Sequence, residues 1–220
     1  MFFLPLSFLI FFALLLLLPF LFLLFQFGII NLAFAKLGLP SEVGFLFFFF
    51  SLIGSAVNLP LVRKKIEVEE DISFPEFFYL FYRLPKRVFR ERIIAVNLGG
   101  CILPLILSLY LLTRASFSAV VICTVLMTLI AKFLSRPVKG LGIVMPAFIP
   151  PLFSAILALI FSRSNPAPVA YISGVFGVLI GADLLNLHKL ERVGVGMLSI
   201  GGAGVFDGIY LVGIIAVLIA

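Results

Sequence analysis

The chain has 220 residues, of which 63% are hydrophobic and only 12% charged, with a formal net charge of +6. A soluble domain carries about 45–50% apolar and about 25% charged residues, so this composition excludes an ordinary water-soluble fold and leaves a membrane protein of one transmembrane domain over 1–220. The basic residues sit between apolar runs and do not form one solvated face, so the charge is no sign of a nucleic-acid partner; the partner implied is the lipid bilayer.

A span needs about 20 apolar residues. Seven runs qualify, near 3–25, 44–61, 93–113, 117–134, 141–162, 168–187 and 197–219. They predict an all-α, polytopic helical bundle at the cell membrane. The first run lacks the basic start and small-residue cleavage site of a signal peptide and is read as a retained helix. Asn31, Lys36 and Pro40 argue against a full span over 26–43, which reads as an interfacial or re-entrant piece. Loop 62–92 is the one long polar segment. Its second half, 74–92, interleaves aromatic and basic residues and predicts an amphipathic helix in the headgroup layer.

Lys and Arg counts in alternate loops set the orientation. Loops 62–92, 135–140 and the one after span six, with their flanks, hold thirteen; the opposite side holds only Lys36, Arg114 and Arg163. The N-terminus is therefore expected inside and the C-terminus outside.

Cys101 and Cys123 fall inside apolar runs and predict small buried residues, with no disulfide, metal or cofactor framework. Of ten acidic residues, only Asp183 and Asp207 lie within apolar runs. Charge inside a bilayer is costly, so such residues are functional candidates. They stand on consecutive antiparallel spans, both in the inner half. Two facing carboxylates cannot both be charged at close range. The ionised one activates a water and the protonated one donates to a carbonyl oxygen, which is the chemistry of peptide-bond hydrolysis. The same pair suits a proton relay. Gly177 and Gly181, and Gly204 and Gly208, are spaced to let helices approach closely. Pro146, Pro150 and Pro151 remove backbone donors and break or kink span five, and broken helices line protein or wet cavities. His188 reads as an interfacial polar residue, and Asn58, Asn97 and Asn186 as polar groups near span ends. Asn186, three residues after Asp183, is placed to orient that carboxylate or to cap a helix end. No Gly-x-Ser-x-Gly or His-Glu-x-x-His motif is present, which speaks against serine and zinc chemistry.

The stretch from Gly202 to Gly213, with Gly204 and Asp207, resembles the Gly-x-Gly-Asp region of the intramembrane aspartyl proteases, the presenilin, signal peptide peptidase and prepilin peptidase type. The resemblance covers about the last 50 residues. The chain departs from the pattern: Asp207 follows Gly204 by three positions, and Ala182 stands where an aromatic often precedes the first aspartate. As a whole the chain resembles uncharacterised prokaryotic multi-span membrane families. The resemblance implies Asp183 and Asp207 as a catalytic pair, transmembrane peptides as substrates, and Gly202, Gly204, Gly208, Pro146 and Pro150 around the substrate. The alternative is a small proton- or ion-coupled transporter, with the aspartates as ion sites and broken span five lining the path. A third is a non-catalytic scaffold whose aspartates pair with helix termini or basic side chains.

Overall fold

The computed structural model describes residues 6–70, 86–138, 142–187 and 196–220. Among the described residues, seven helices and two small sheets follow in chain order. They are α1 (Leu6–Lys36), α2 (Ser41–Gly54), β1 (Asn58–Glu70), β2 (Lys86–Asn97), α3 (Leu98–Arg114), α4 (Phe117–Leu134), β3 (Arg136–Val138), β4 (Gly142–Val144), α5 (Ile149–Phe161), α6 (Pro166–Asn186), β5 (Gly196–Ile200) and α7 (Ala203–Ile219). Three stretches are long and apolar enough to cross a membrane: Leu17–Lys36 within α1, α4 and α6. The remaining four helices are apolar but shorter.

α6 is the central element. Val169, Ala170, Tyr171, Ile172, Val175 and Val178 are all buried, whereas α1 and α4 expose large apolar faces. Close approach to α4 rests on two glycines. A methyl on Gly177 would meet Met127, and one on Gly181 would collide with the Thr128 carbonyl and touch Ala131. The spacing of Gly177 and Gly181 therefore serves helix packing. Cys101 and Cys123 are buried and free, as their apolar surroundings predict.

The all-α expectation needs correction. β2 is the middle of a three-stranded sheet in the order β1-β2-β5. β1 pairs with it antiparallel from Asn58↔Asn97 to Glu70↔Lys86, and β5 pairs parallel from Arg92↔Gly196 to Val96↔Ile200. The amphipathic helix expected over 74–92 is a strand in its last part, 86–92; residues 71–85 lie outside the described residues. The reason is non-local. Val88 and Ile94 are β-branched and stand opposite Val68 and Val62 in the register, and such residues favour a pleated surface over a helix.

The same sheet shortens three expected spans. The run 44–61 leaves the helix at Gly54 and is strand from Asn58. Residues 93–97 and 196–200 are strands before α3 and α7 begin. The run 141–162 is also divided: β4 and a turn at Pro146 precede α5, which starts only at Ile149 with proline in its first turn, where no amide donor is needed. At the N-terminus the correction runs the other way. α1 does not stop near residue 25 but continues to Lys36, and its packed residues are Ile30, Ala33 and Phe34 in the stretch read as interfacial. Lys36 is tolerated because it lies in the last turn, where its ammonium donates to the Leu218 carbonyl at 2.7 Å. Gly38, at φ +71°, ends the helix, with the Leu39 amide returning to the Phe34 carbonyl.

Contacts sort the connections into two ends. At one end Arg114 donates to the carbonyls of Leu37 and Gly38, and Asn165 donates to the Arg114 carbonyl at 3.0 Å. At the other end lie both sheets, the start of α7 and the C-terminal turns of α2, α4 and α6.

Candidate functional site

The sheet end is built on glycines and small polar side chains. β2 passes into α3 through Asn97-Leu98-Gly99-Gly100, and β5 passes into α7 through Gly201-Gly202. The two backbones cross at Gly100 and Gly201. A methyl on Gly100 would collide with the Gly201 carbonyl, and a methyl on Gly201 would lie 2.6 Å from Gly100 C and 2.9 Å from Cys101 Cβ. Gly201 also has φ +70°, a region that other residues rarely adopt.

Asn97, 1% exposed, holds the crossing in place. Its Oδ1 accepts from the Gly100 amide at 2.7 Å, capping the first turn of α3. Its Nδ2 donates to the Ser55 carbonyl at 2.6 Å and to Asn58 Oδ1 at 3.0 Å. Ser199 of β5 also donates to Asn58 Oδ1, and Ser51 of α2 donates to the Gly99 carbonyl at 2.6 Å. Asn58 and Asn97 are thus more than polar residues near span ends: they lace three strands and two helices together. An Asn directly before Leu-Gly-Gly is the cap signature that would have pointed to this.

Asp183 ends a wide helical turn, Leu179–Asp183, near the C-terminus of α6 and is 4% exposed. Its Oδ2 accepts from the Gly201 amide at 2.6 Å. A carboxylate on one helix thereby caps the break before another. Asp183 also borders a small pocket, with Gly142, Ile143, Leu187, Leu198, Ser199 and Ile200 as the other lining residues. Its interior of about 10 Å³ accommodates one water-sized occupant. Asn186 does not orient Asp183: its amide donates to Ser135 Oγ at 2.8 Å and to the carbonyls of Gly181 and Ala182. Of its two sequence readings, the helix-end role is the one these bonds match. His188 lies outside the described residues.

Asp207 is the fifth residue of α7, hence ~6 Å from its start. It is exposed. The faces around it are assigned by contacts. Gly204 sits against the backbone of Ile143 and Val144, and a methyl on Gly208 would lie 3.3 Å from Pro150. Phe206 and Tyr210 face the other way, with Tyr210 edge-on to Phe48 of α2 at 4.8 Å. Val212 meets Gly174 of α6. Five residues on a helix turn by about 140° from one side chain to the other, so Asp207 points well away from the α6 side of α7. No contact joins Asp183 and Asp207 among the described residues. Gly204, Gly208 and Pro150 do come together, but neighbouring protein fills the space beside both glycines. Gly202 packs on Ser199, and Pro146 is exposed.

Among the described residues the molecule is thus a mainly helical protein with three membrane-length apolar helices and a small pocket bordered by Asp183 where the helices meet a sheet. The chain belongs to the family described as "Protein of unknown function (DUF1614)", whose model matches residues 52–219. That stretch takes in the sheet, the Asn97 lattice, Asp183 and Asp207, and leaves out α1. No curated protein and no solved structure matches the chain.

Proposed function

We propose that the chain crosses the cell membrane seven times with its sheet end in the cytoplasm, and that Asp183 is the working carboxylate of a small proton- or ion-coupled carrier. Support for the sidedness comes from the grouping of Lys36, Arg114 and the segment after α5 at the end away from the sheet. The thirteen basic residues of the other loops then fall on one side, as the positive-inside rule requires.

The observation that carries the functional reading is the setting of Asp183. It is buried, one backbone amide is its only hydrogen-bond donor among the described residues, and it shares its pocket with the broken approach to α5. A buried carboxylate among apolar helices needs neutralising. The Gly201 amide supplies one dipole, and a proton or small cation in the pocket supplies the rest. Loss or gain of that charge acts on the Gly201-Gly202 break, and so on α7.

Intramembrane hydrolysis of transmembrane peptides by Asp183 and Asp207 is the second reading. The Gly201-Gly202 break favours it, because two glycines alone join β5 to α7 and any turn of α7 would have to occur there. A shared water needs Asp207 to swing through a large part of the ~140° that now separates it from the α6 side.

One set of proteins tests both. Wild type, Asp183→Asn and Asp207→Asn are reconstituted in liposomes and assayed for ion-driven proton movement and for cleavage of a panel of single-span peptides. The carrier reading expects flux abolished by Asp183→Asn and kept by Asp207→Asn, with no cleavage. Cleavage lost in both variants establishes the hydrolase instead. Flux untouched by Asp183→Asn removes the carboxylate from any transport mechanism.

A further inference from the structure

β1 is the edge strand of its sheet among the described residues, and it is thirteen residues long. A long edge with unpaired backbone groups is a template for another strand unless it is blunted. The bulge between Pro60 and Val62 blunts only its root. Beyond the bulge, charge is sorted along the strand: Arg63, Lys64 and Lys65 come first, and Glu67, Glu69 and Glu70 follow Ile66. A strand basic in one half and acidic in the other is complementary to an antiparallel copy of itself. We propose that β1 pairs with β1 of a second copy of this chain, joining the two sheets into one across a two-fold axis at Ile66.

The register follows from symmetry. Directly opposed pairs in an antiparallel ladder alternate between hydrogen-bonded and non-bonded types. A two-fold axis must therefore pass between a residue and its own copy. With the axis at Ile66, Lys65 opposes Glu67 of the second copy and Arg63 opposes Glu69, each pair occurring twice, and no like charges meet. Moving the axis to Lys65 or Glu67 puts two lysines or two glutamates face to face, which is destabilising. Moving it further, to Lys64 or Val68, opposes Arg63 to Lys65 or Glu67 to Glu69.

Two copies in one bilayer need this axis along the membrane normal, so the ribbon lies flat on the surface. Its alternation suits that position. Along the sequence Val62, Ile66 and Val68 recur at every second or fourth position, with Lys64 between them, and alternate with Arg63, Lys65, Glu67 and Glu69. Apolar residues with long basic chains between them favour the headgroup layer. Exposed ion pairs add little affinity, so the backbone ladder supplies the attraction and the charges choose the register.

The test uses the full chain, purified and reconstituted in nanodiscs. Opposed residues across a strand pair have Cα atoms about 4.5–5.5 Å apart, within the reach of a disulfide. Ile66→Cys is expected to give an oxidised dimer of twice the 24.2 kDa chain mass. Val68→Cys, whose copy stands four residues along at about 13 Å, is expected to give none; the parent chain with its two buried cysteines is the baseline. Two charge variants follow. Arg63→Glu/Lys65→Glu leaves Lys64 as the one basic residue of the strand, and Glu67→Lys/Glu69→Arg leaves Glu70 as its one acidic residue. Each alone is expected to weaken self-association roughly tenfold or more, and the two mixed to restore it as a heterodimer, which a folding defect does not do. A wild type that stays monomeric overturns the proposal. So does Val68→Cys linking as well as Ile66→Cys, or a mixture that fails to associate. A monomer that instead binds anionic vesicles through residues 63–65 assigns the strand to the lipid surface and refutes the dimer.

Discussion

Gly201→Ala is the sharpest probe of the site, because two separate costs meet at one atom. The first is conformational. At φ +70° an alanine occupies the left-handed region at about 1–2 kcal/mol. The second is steric. The added methyl would lie 2.6 Å from Gly100 C and 2.9 Å from Cys101 Cβ, and at least the former is backbone, which cannot rotate aside. Relief requires β5 and β2 to separate, which also draws the Gly201 amide away from Asp183. Overpacking of this kind costs about 1–3 kcal/mol, so the sum is roughly 2–5 kcal/mol. For a chain of this length that is a fall in Tm of roughly 4–20 °C. Gly142→Ala is the control: it has φ +89° but, among the described residues, nothing within 4 Å of the new methyl, so it carries the conformational cost without the steric one. Both variants are compared with wild type by thermal unfolding in one detergent. Gly201→Ala is expected to lose roughly one and a half times as many degrees as Gly142→Ala, or more. Equal losses would show that the crossing of β2 and β5 is not tight, and the site as described would fall with it.

Three further outcomes follow from other contacts. Asn97→Ala leaves the buried Gly100 amide and the part-buried Ser55 carbonyl without their partner and is expected to cost about 2–4 kcal/mol, whereas Asn97→Asp keeps the cap on Gly100 but sets a buried carboxylate oxygen against the Ser55 carbonyl and Asn58 Oδ1 and is expected to cost at least as much; the order of the two Tm values checks this. Gly181→Leu forces α4 from α6 at the Thr128 carbonyl and is expected to lower Tm more than the same change at Gly28, which has nothing within 4 Å. Arg114→Gln removes charge-assisted donors to Leu37 and Gly38 and the stacking of the guanidinium on Tyr110. It is expected to cost about 1–2 kcal/mol and to speed amide exchange at Leu37–Leu39 without altering exchange in β5.

Each of the seven helices among the described residues falls within or overlaps an apolar run, because such a run registers whatever it packs against. Hydropathy failed where apolar strands run into apolar helices. Ile93–Val96 and Leu198–Ile200 are buried or partly buried, and such strands read as continuous hydrophobic runs without alternation. Only punctuation marked the joints: Asn97 with Gly99 and Gly100, and Gly201 with Gly202. The hairpin was missed for a different reason. Its aromatic and basic composition suits an interfacial helix locally, and the partner strand that decides the matter lies across the hairpin. At the site, Asp183 stood out by charge alone, since no other residue of α6 carries any. Its bond to Gly201 is set by how α6 meets the sheet, which no spacing along the chain encodes. The expected facing of Asp207 assumed that α7 presents it to α6; the small residues Gly204 and Gly208 instead claim β4 and α5, and Val212 claims α6.

That arrangement decides which substitution at 183 can be interpreted. The Gly201 amide needs an acceptor, because it is buried between β5 and α7 and points at Asp183 alone among the described residues. Alanine at 183 removes the acceptor and is expected to cost about 1–3 kcal/mol for the stranded amide, with the start of α7 loosened. Asparagine keeps an oxygen of the same reach and removes only the charge and the capacity to hold a proton or a cation. If Asp183 were merely a cap on the break before α7, Asn would preserve both fold and function, and Ala would impair them together. If its charge is what the pocket exists to bind, Asn would preserve the fold and abolish function. Unfolding curves and flux measured side by side on Asp183→Asn and Asp183→Ala therefore separate a structural carboxylate from a working one, and function that tracks stability across both variants would sink the carrier reading.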